Sequence, residues 1–230
     1  MLRSAKKKNL LRGILAGWVL LGAFLPCFFA VGETGYSFHT KDGASQVSAG
    51  SSPIFLTWSC IALILFMAML NTRAEETAVG IPSMARRWAA FFVDFWFSLT
   101  VLSSITGLVP LLIEGARTGH FVWQFSRDYS VATDELVGIP LVLLAMALMF
   151  LYFAWPLTKG KQTVGGFILR LRTTPPFGDR GVFTLREALR RVWFEFRGCC
   201  SFLRWRTRDS EGRTWYDQET NCTVVLIQYE

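Results

Sequence analysis

Apolar residues in this chain fall in long blocks, where an amphipathic soluble fold would interleave them with polar ones. Gly13 to Gly32, Gly43 to Thr72 and Leu136 to Thr158 contain no charged residue, and Trp88 to Ile113 contains only Asp94. A helix needs roughly 20 mainly apolar residues to cross a hydrocarbon core about 30 Å thick. The pattern therefore predicts four membrane spans, at about Gly13–Val31, Ile54–Leu70, Trp88–Leu112 and Leu136–Leu157. Composition agrees: 52% of residues are hydrophobic and 18% charged, too few charges to cover a soluble domain of this apolar content.

The polar stretches set the connections. Glu33 to Ser52, rich in Gly and Ser, predicts a polar loop joining the first two spans into a hairpin. Glu114 to Glu135 carries Phe121, Trp123, Phe125 and Tyr129, which predicts a segment lying at the membrane interface, where aromatic rings gather. Pro26 predicts a kink in span one, and Tyr152 to Trp155 before Pro156 form an aromatic belt closed by a helix-stopping proline.

Beyond span four the chain regains local order. Phe167 to Arg172 ends in a strand-like alternation, and Thr174 to Asp179 reads as a turn. Thr184-Leu185-Arg186-Glu187 has the spacing of a capping box, which opens a helix. Leu185, Leu189, Val192, Trp193 and Phe196 then recur three or four apart, among Arg186, Arg190, Arg191 and Arg197. Two readings fit this basic amphipathic helix: it lies on the lipid surface with those arginines toward anionic headgroups, or it packs on the protein's own spans. Cys222 to Ile227 is too short to span and predicts a strand.

Charge sets the orientation. All but three of the 24 Lys and Arg residues fall before span one, between spans two and three, or after span four; the exceptions are Lys41, Arg117 and Arg127. The positive-inside bias predicts that both termini are cytoplasmic. Topology also accounts for the net charge of +7, and no RNA- or DNA-binding motif accompanies it, so nucleic acid is not an expected partner. Lys6 to Lys8 before an apolar stretch could belong to a signal peptide, with Ala30-Val31-Gly32 as the cleavage context. The stretch exceeds the usual 7–15 apolar residues of a signal core, which favours an uncleaved anchor. Five cysteines without a C-x-x-C, and two distant histidines, predict neither a disulfide framework nor a metal site. Cys199 and Cys200 are adjacent and read as small apolar fillers or as acylation sites. No nucleophile–base pair, P-loop or metal-ligand cluster is legible, so the chain is expected to be neither an enzyme nor a cofactor protein.

Asp94 is the one ionisable residue deep in a span, where a charge costs about 2.5–3.5 kcal/mol on insertion scales. It must gain a partner or face water. Seven residues separate it from Arg87, which places both within about 20° of one helix face and roughly 10 Å apart. Either Asp94 pairs with an arginine and fixes the packing, or it binds a proton or Na⁺ with Ser98 as a supporting hydroxyl.

Several segments resemble the RDD family of bacterial membrane proteins. Arg87 to Asp94 is similar to the family's opening Arg and Asp, and Lys161-Gln162-Thr163-Val164-Gly165-Gly166 to its Gly-Gln-Thr-x-Gly-Lys segment. Leu185 to Arg191 is similar to its Arg-Glu helix entry, while Arg213 to Asp217 with Thr223-Val224-Val225 resembles its close, with Asp217 as the late aspartate. Gly166 stands for the usual Lys and Lys161 for the first Gly. Where the family commonly has a third apolar span, Val192 to Arg206 carries Glu195, Arg197, Arg204 and Arg206 and is too charged to cross easily. The resemblance implies a bacterial inner-membrane location and admits Na⁺/H⁺ exchange, reported for some members.

The expectation is thus an all-α integral membrane protein in three parts. Residues 1–80 form a two-span hairpin, 81–160 a two-span core and 161–230 a basic cytoplasmic tail with an amphipathic helix. Its expected role is a non-catalytic accessory or scaffold subunit, docked to other proteins or to its own copies within the bilayer. Arg87, Asp94 and Asp217 would hold the core by ion pairing with arginines of the tail. The alternative is a cation/proton antiporter with Asp94 as coupling carboxylate.

Overall fold

The computed structural model describes residues 2–28, 35–41, 44–72, 76–129, 131–175, 182–199, 209 and 212–229. Four helices are long and apolar enough to cross a membrane: α1 (Leu2–Phe28), α2 (Pro53–Asn71), α3 (Met84–Thr118) and α4 (Val131–Thr158). Their outward surfaces carry large apolar side chains, among them Leu20, Ile64, Phe92, Leu112 and Leu143, each more than two-fifths exposed. Such a surface suits hydrocarbon and not water. The chain is a multi-pass membrane protein.

Span boundaries shift from the expected ones. Among the described residues the apolar stretch of α1 runs over Ala5–Leu25 and includes Lys8, which is buried with its ammonium 4.3 Å from the centre of the Tyr229 ring. The cleavage context at Ala30 to Gly32 lies outside the described residues. Helix α3 has 35 residues and continues through Pro110, so at 1.5 Å per residue it is about 52 Å long, well beyond the hydrocarbon thickness. Its last turns are polar, with buried Glu114 3.6 Å from Arg117.

The all-α expectation is corrected by two three-stranded sheets. In the first, β1 (Gly35–Lys41), β2 (Ala44–Gly50) and β4 (Gln124–Tyr129) pair antiparallel in the order β1-β2-β4. The Gly/Ser-rich segment is thus a strand pair and not a loop, and the aromatic segment supplies its third strand. In the second, β3 (Glu76–Gly80) and β5 (Leu171–Thr174) flank the central β6 (Thr223–Tyr229), again antiparallel. The β-branched run Thr223-Val224-Val225 suits this position, and Ala90, Leu171 and Val224 share a small core.

The tail helix α6 (Leu185–Cys199) opens on the predicted capping box. The Thr184 N–H and hydroxyl donate to Glu187 at 2.8 and 2.7 Å, and the Glu187 N–H donates back at 3.3 Å. Two short helices, α5 (Val164–Ile168) and α7 (Trp215–Glu219), complete the described elements. After α7, Asn221 takes φ 52°, a left-handed conformation that Asn tolerates, and the chain turns directly into β6.

Two compact units are formed, each from separated stretches. One comprises residues 1–17, 65–97 and 150–230, and the other 18–64 and 98–149. In the second, Trp18 and Trp58 donate their indole N–H groups to each other's backbone carbonyls at 3.1 and 3.0 Å. A Cβ added at Gly22 would run into the Trp58 indole, while at Gly17 nothing lies within 4 Å. Gly22→Leu should therefore destabilise the protein by about 1–3 kcal/mol through overpacking, and Gly17→Leu should leave it unchanged. Thermal unfolding in one detergent checks the pair; equal loss in both variants would show that this contact is not specific.

Candidate functional site

The site grows from one face of α3. Arg87 and Asp94 line the same cavity, as their spacing of seven predicts, together with Lys161, Thr163, Arg191 and Glu195. Its volume is about 80 Å³. Both α3 residues are buried, so each charge needs a partner. They find different ones.

Asp94 takes three hydrogen bonds. The Tyr152 hydroxyl donates to Oδ1 at 2.7 Å, the Gly165 N–H to Oδ1 at 2.7 Å, and the Thr163 hydroxyl to Oδ2 at 2.6 Å. The Val164 N–H in turn donates to the Tyr152 oxygen at 3.3 Å. The expected ion pair to Asp94 is thus corrected: among the described residues it makes none, because the first turn of α5 and a span hydroxyl reach it first. Ser98, expected as the supporting hydroxyl, is buried one turn further along α3, and the support comes from Tyr152, Thr163 and Gly165. This requires α5 to press against α3. A Cβ at Gly165 would overlap the Ala90 carbonyl oxygen and come within 2.8 Å of Asp94 Oδ2.

The rest of the segment is equally committed. Lys161 Nζ donates to the Thr72 carbonyl at 2.5 Å. Gln162 donates to the Leu171 carbonyl at 2.8 Å and accepts from the Tyr229 hydroxyl at 3.2 Å, tying the chain to both β5 and β6. A Cβ at Gly166 would meet the Leu171 carbonyl oxygen at 3.1 Å and Thr163 Oγ1 at 3.2 Å, so a side chain there is cramped.

Asp217 is fully buried and stands between two guanidiniums. Arg87 Nη1 lies 2.5 Å from Oδ2, and Arg191 Nη2 2.6 Å from Oδ1. The Thr214 N–H and hydroxyl donate to Oδ2 at 2.9 and 2.7 Å, and the tight turn Thr214 to Asn221 orients the carboxylate. Arg87 also reaches the Val224 carbonyl at 3.4 Å, and the Arg191 guanidinium lies 4.4 Å from the centre of the Tyr216 ring. Arg191, expected to face lipid with Arg186, Arg190 and Arg197, turns inward instead and supplies Asp217 with its second cation. Arg186, Arg190 and Arg197 are exposed.

Electrostatics outside the spans follow from this packing. Burial would raise the Asp217 pKa, but Arg191 and then Arg87 override it and hold the carboxyl below its ordinary value. Burial raises Glu195 against the pull of Arg191. It also raises the Tyr216 phenol, with Glu195 adding to the shift, to about 12. Glu195, Tyr152, Thr163 and Gly165 were not singled out from sequence. Thr163 and Gly165 lay inside a motif noted only as a resemblance, and Tyr152 inside the aromatic belt.

The geometry gives the motifs a common purpose: each supplies one contact of a network joining α3 to the tail. The RDD family model matches residues 81–220, most of the chain. This chain belongs to the RDD family. No match was found among curated proteins or solved structures. In this RDD protein the family's opening Arg and late Asp are in direct contact, 130 positions apart in sequence, and the opening Asp holds the Gln-Thr segment.

Asp217→Asn leaves two buried guanidiniums without their counter-charge, at a cost of about 3–5 kcal/mol, and should lower the melting temperature far more than Glu219→Gln in the exposed last turn of α7. The Asp217 pKa is lowered on folding, so its contribution is complete above the unfolded value of about 3.9 and is lost as pH falls below it. The wild type should therefore lose more stability on acidification through that range than Asp217→Asn does. Parallel acid melts of the two proteins check this, and equal acid sensitivity would contradict it.

Proposed function

We propose that this RDD protein is a non-catalytic accessory or scaffold subunit of a membrane complex, set in a bacterial inner membrane with both termini cytoplasmic. One observation carries the reading: Asp217 lies between Arg87 of the membrane helix and Arg191 of the tail helix, so the strongest charges are spent on fixing the tail to the span. Asp94 acts the same way through neutral donors and pins α5 to α3. The tail anchored in this way is a platform suited to docking other subunits or another copy of the chain.

A second reading has its own observation. Asp94 and Glu195 line one small polar cavity with Arg87 and Arg191, an arrangement that could bind a proton or a cation. In this antiporter reading Asp94 is the coupling carboxylate.

Asp94→Asn separates them. For the scaffold, the variant keeps an oxygen for Tyr152 and Gly165 but sets its amide NH2 against the Thr163 hydroxyl, which loses its acceptor. This costs about 1–3 kcal/mol and lowers the yield of folded protein, while wild-type proteoliposomes carry no pH-driven Na⁺ flux. Wild-type flux that vanishes in a well-folded Asp94→Asn would overturn the scaffold and establish exchange.

A further inference from the structure

Helix α6 divides lengthwise into three strips. At 100° per residue, the inward strip holds Ala188, Arg191, Val192 and Gly198, all buried. Next to it, within about 80° of arc, Leu185, Leu189 and Trp193 stand 53%, 39% and 57% exposed. The adjoining ~60° of the wheel holds Arg186, Arg190 and Arg197, all exposed. An apolar strip bordered by a basic one has the composition of a helix lying in a membrane interface.

The depth of the helix agrees. Phe196 packs against Phe150 and Phe153 of α4 at ring separations of 5.4 and 5.2 Å, and against Phe91 of α3 at 5.9 Å. Trp193 stacks on Phe150 at 6.4 Å. The exposed apolar strip thus continues the lipid-facing surface of the spans, where Leu151 and Trp155 are also exposed. Glu187 caps Thr184, and Arg190 meets the Glu219 carbonyl at 3.4 Å and lies over the Phe194 ring at 5.6 Å.

We propose that α6 is an anionic-lipid binding element: Leu185, Leu189 and Trp193 enter the acyl boundary of the surrounding bilayer, and Arg186, Arg190 and Arg197 bind the phosphates of its anionic lipids. The occupant follows from charge complementarity and from continuity with the span surface. Each arginine near an anionic surface strengthens attraction by roughly fivefold. This binding does not depend on whether the protein is a scaffold or an exchanger.

The test uses the full chain in nanodiscs containing brominated phosphatidylglycerol or, at equal mole fraction, brominated phosphatidylcholine. Trp193 emission is taken as the difference between wild type and Trp193→Phe. The expected result is at least twofold stronger quenching by the anionic lipid, reduced to parity at 0.5 M salt and in Arg186→Gln/Arg190→Gln/Arg197→Gln. The salt titration on wild-type protein needs no variant of the basic strip, so it stands even if the triple variant folds poorly. Equal quenching by both lipids at low salt would overturn the charge selectivity. No quenching by either would show that water or protein, and not lipid, covers the strip.

Discussion

The fold of the family-matched region depends on one buried carboxylate. Asp217 has no access to solvent, and a lone charge in that position would cost several kcal/mol. Two guanidiniums 104 positions apart in sequence remove the penalty: Arg87 from the start of α3 and Arg191 from the middle of α6. Each arginine is itself buried, and each meets Asp217 at salt-bridge distance. Placing them together brings β6 beside α3 and turns the strip of α6 that holds Ala188, Arg191 and Val192 inward.

Asp94 solves the same problem differently. It sits two helical turns along the same face, and neutral donors satisfy it. Because one of these is the backbone N–H of Gly165, the α5 turn must come close enough that only glycine fits there. The two carboxylates therefore act at two heights of α3, one on the tail's helices and one on the segment that leaves α4. That the charges serve packing first is the reason for preferring a scaffold. The small cavity they enclose keeps exchange as its rival.

Local features were legible in the sequence and long-range ones were not. Four apolar blocks gave four spans, the Thr184–Glu187 spacing gave a working cap, and the β-branched close gave β6. The first sheet escaped because its middle strand β2 is mostly Ala, Ser and Gly, although Tyr36 and Phe38 alternate with polar residues in β1. Nothing local could pair Arg87 with Asp217 across 130 positions; only the family resemblance pointed to both. Arg191 misled for the opposite reason. It shares a helix with three exposed arginines, and the wheel alone does not say which basic residue a buried acid elsewhere will claim.

The most direct test of the central claim is a double-mutant cycle between Arg87 and Asp217, using Arg87→Met, Asp217→Leu and the double variant, with unfolding free energies measured in one detergent. The two side chains interact directly, so the double variant should be less damaged than the sum of the singles, with a coupling above about 1 kcal/mol. Simple additivity would contradict the account, because it would mean that the tail stays on the span without this ion pair.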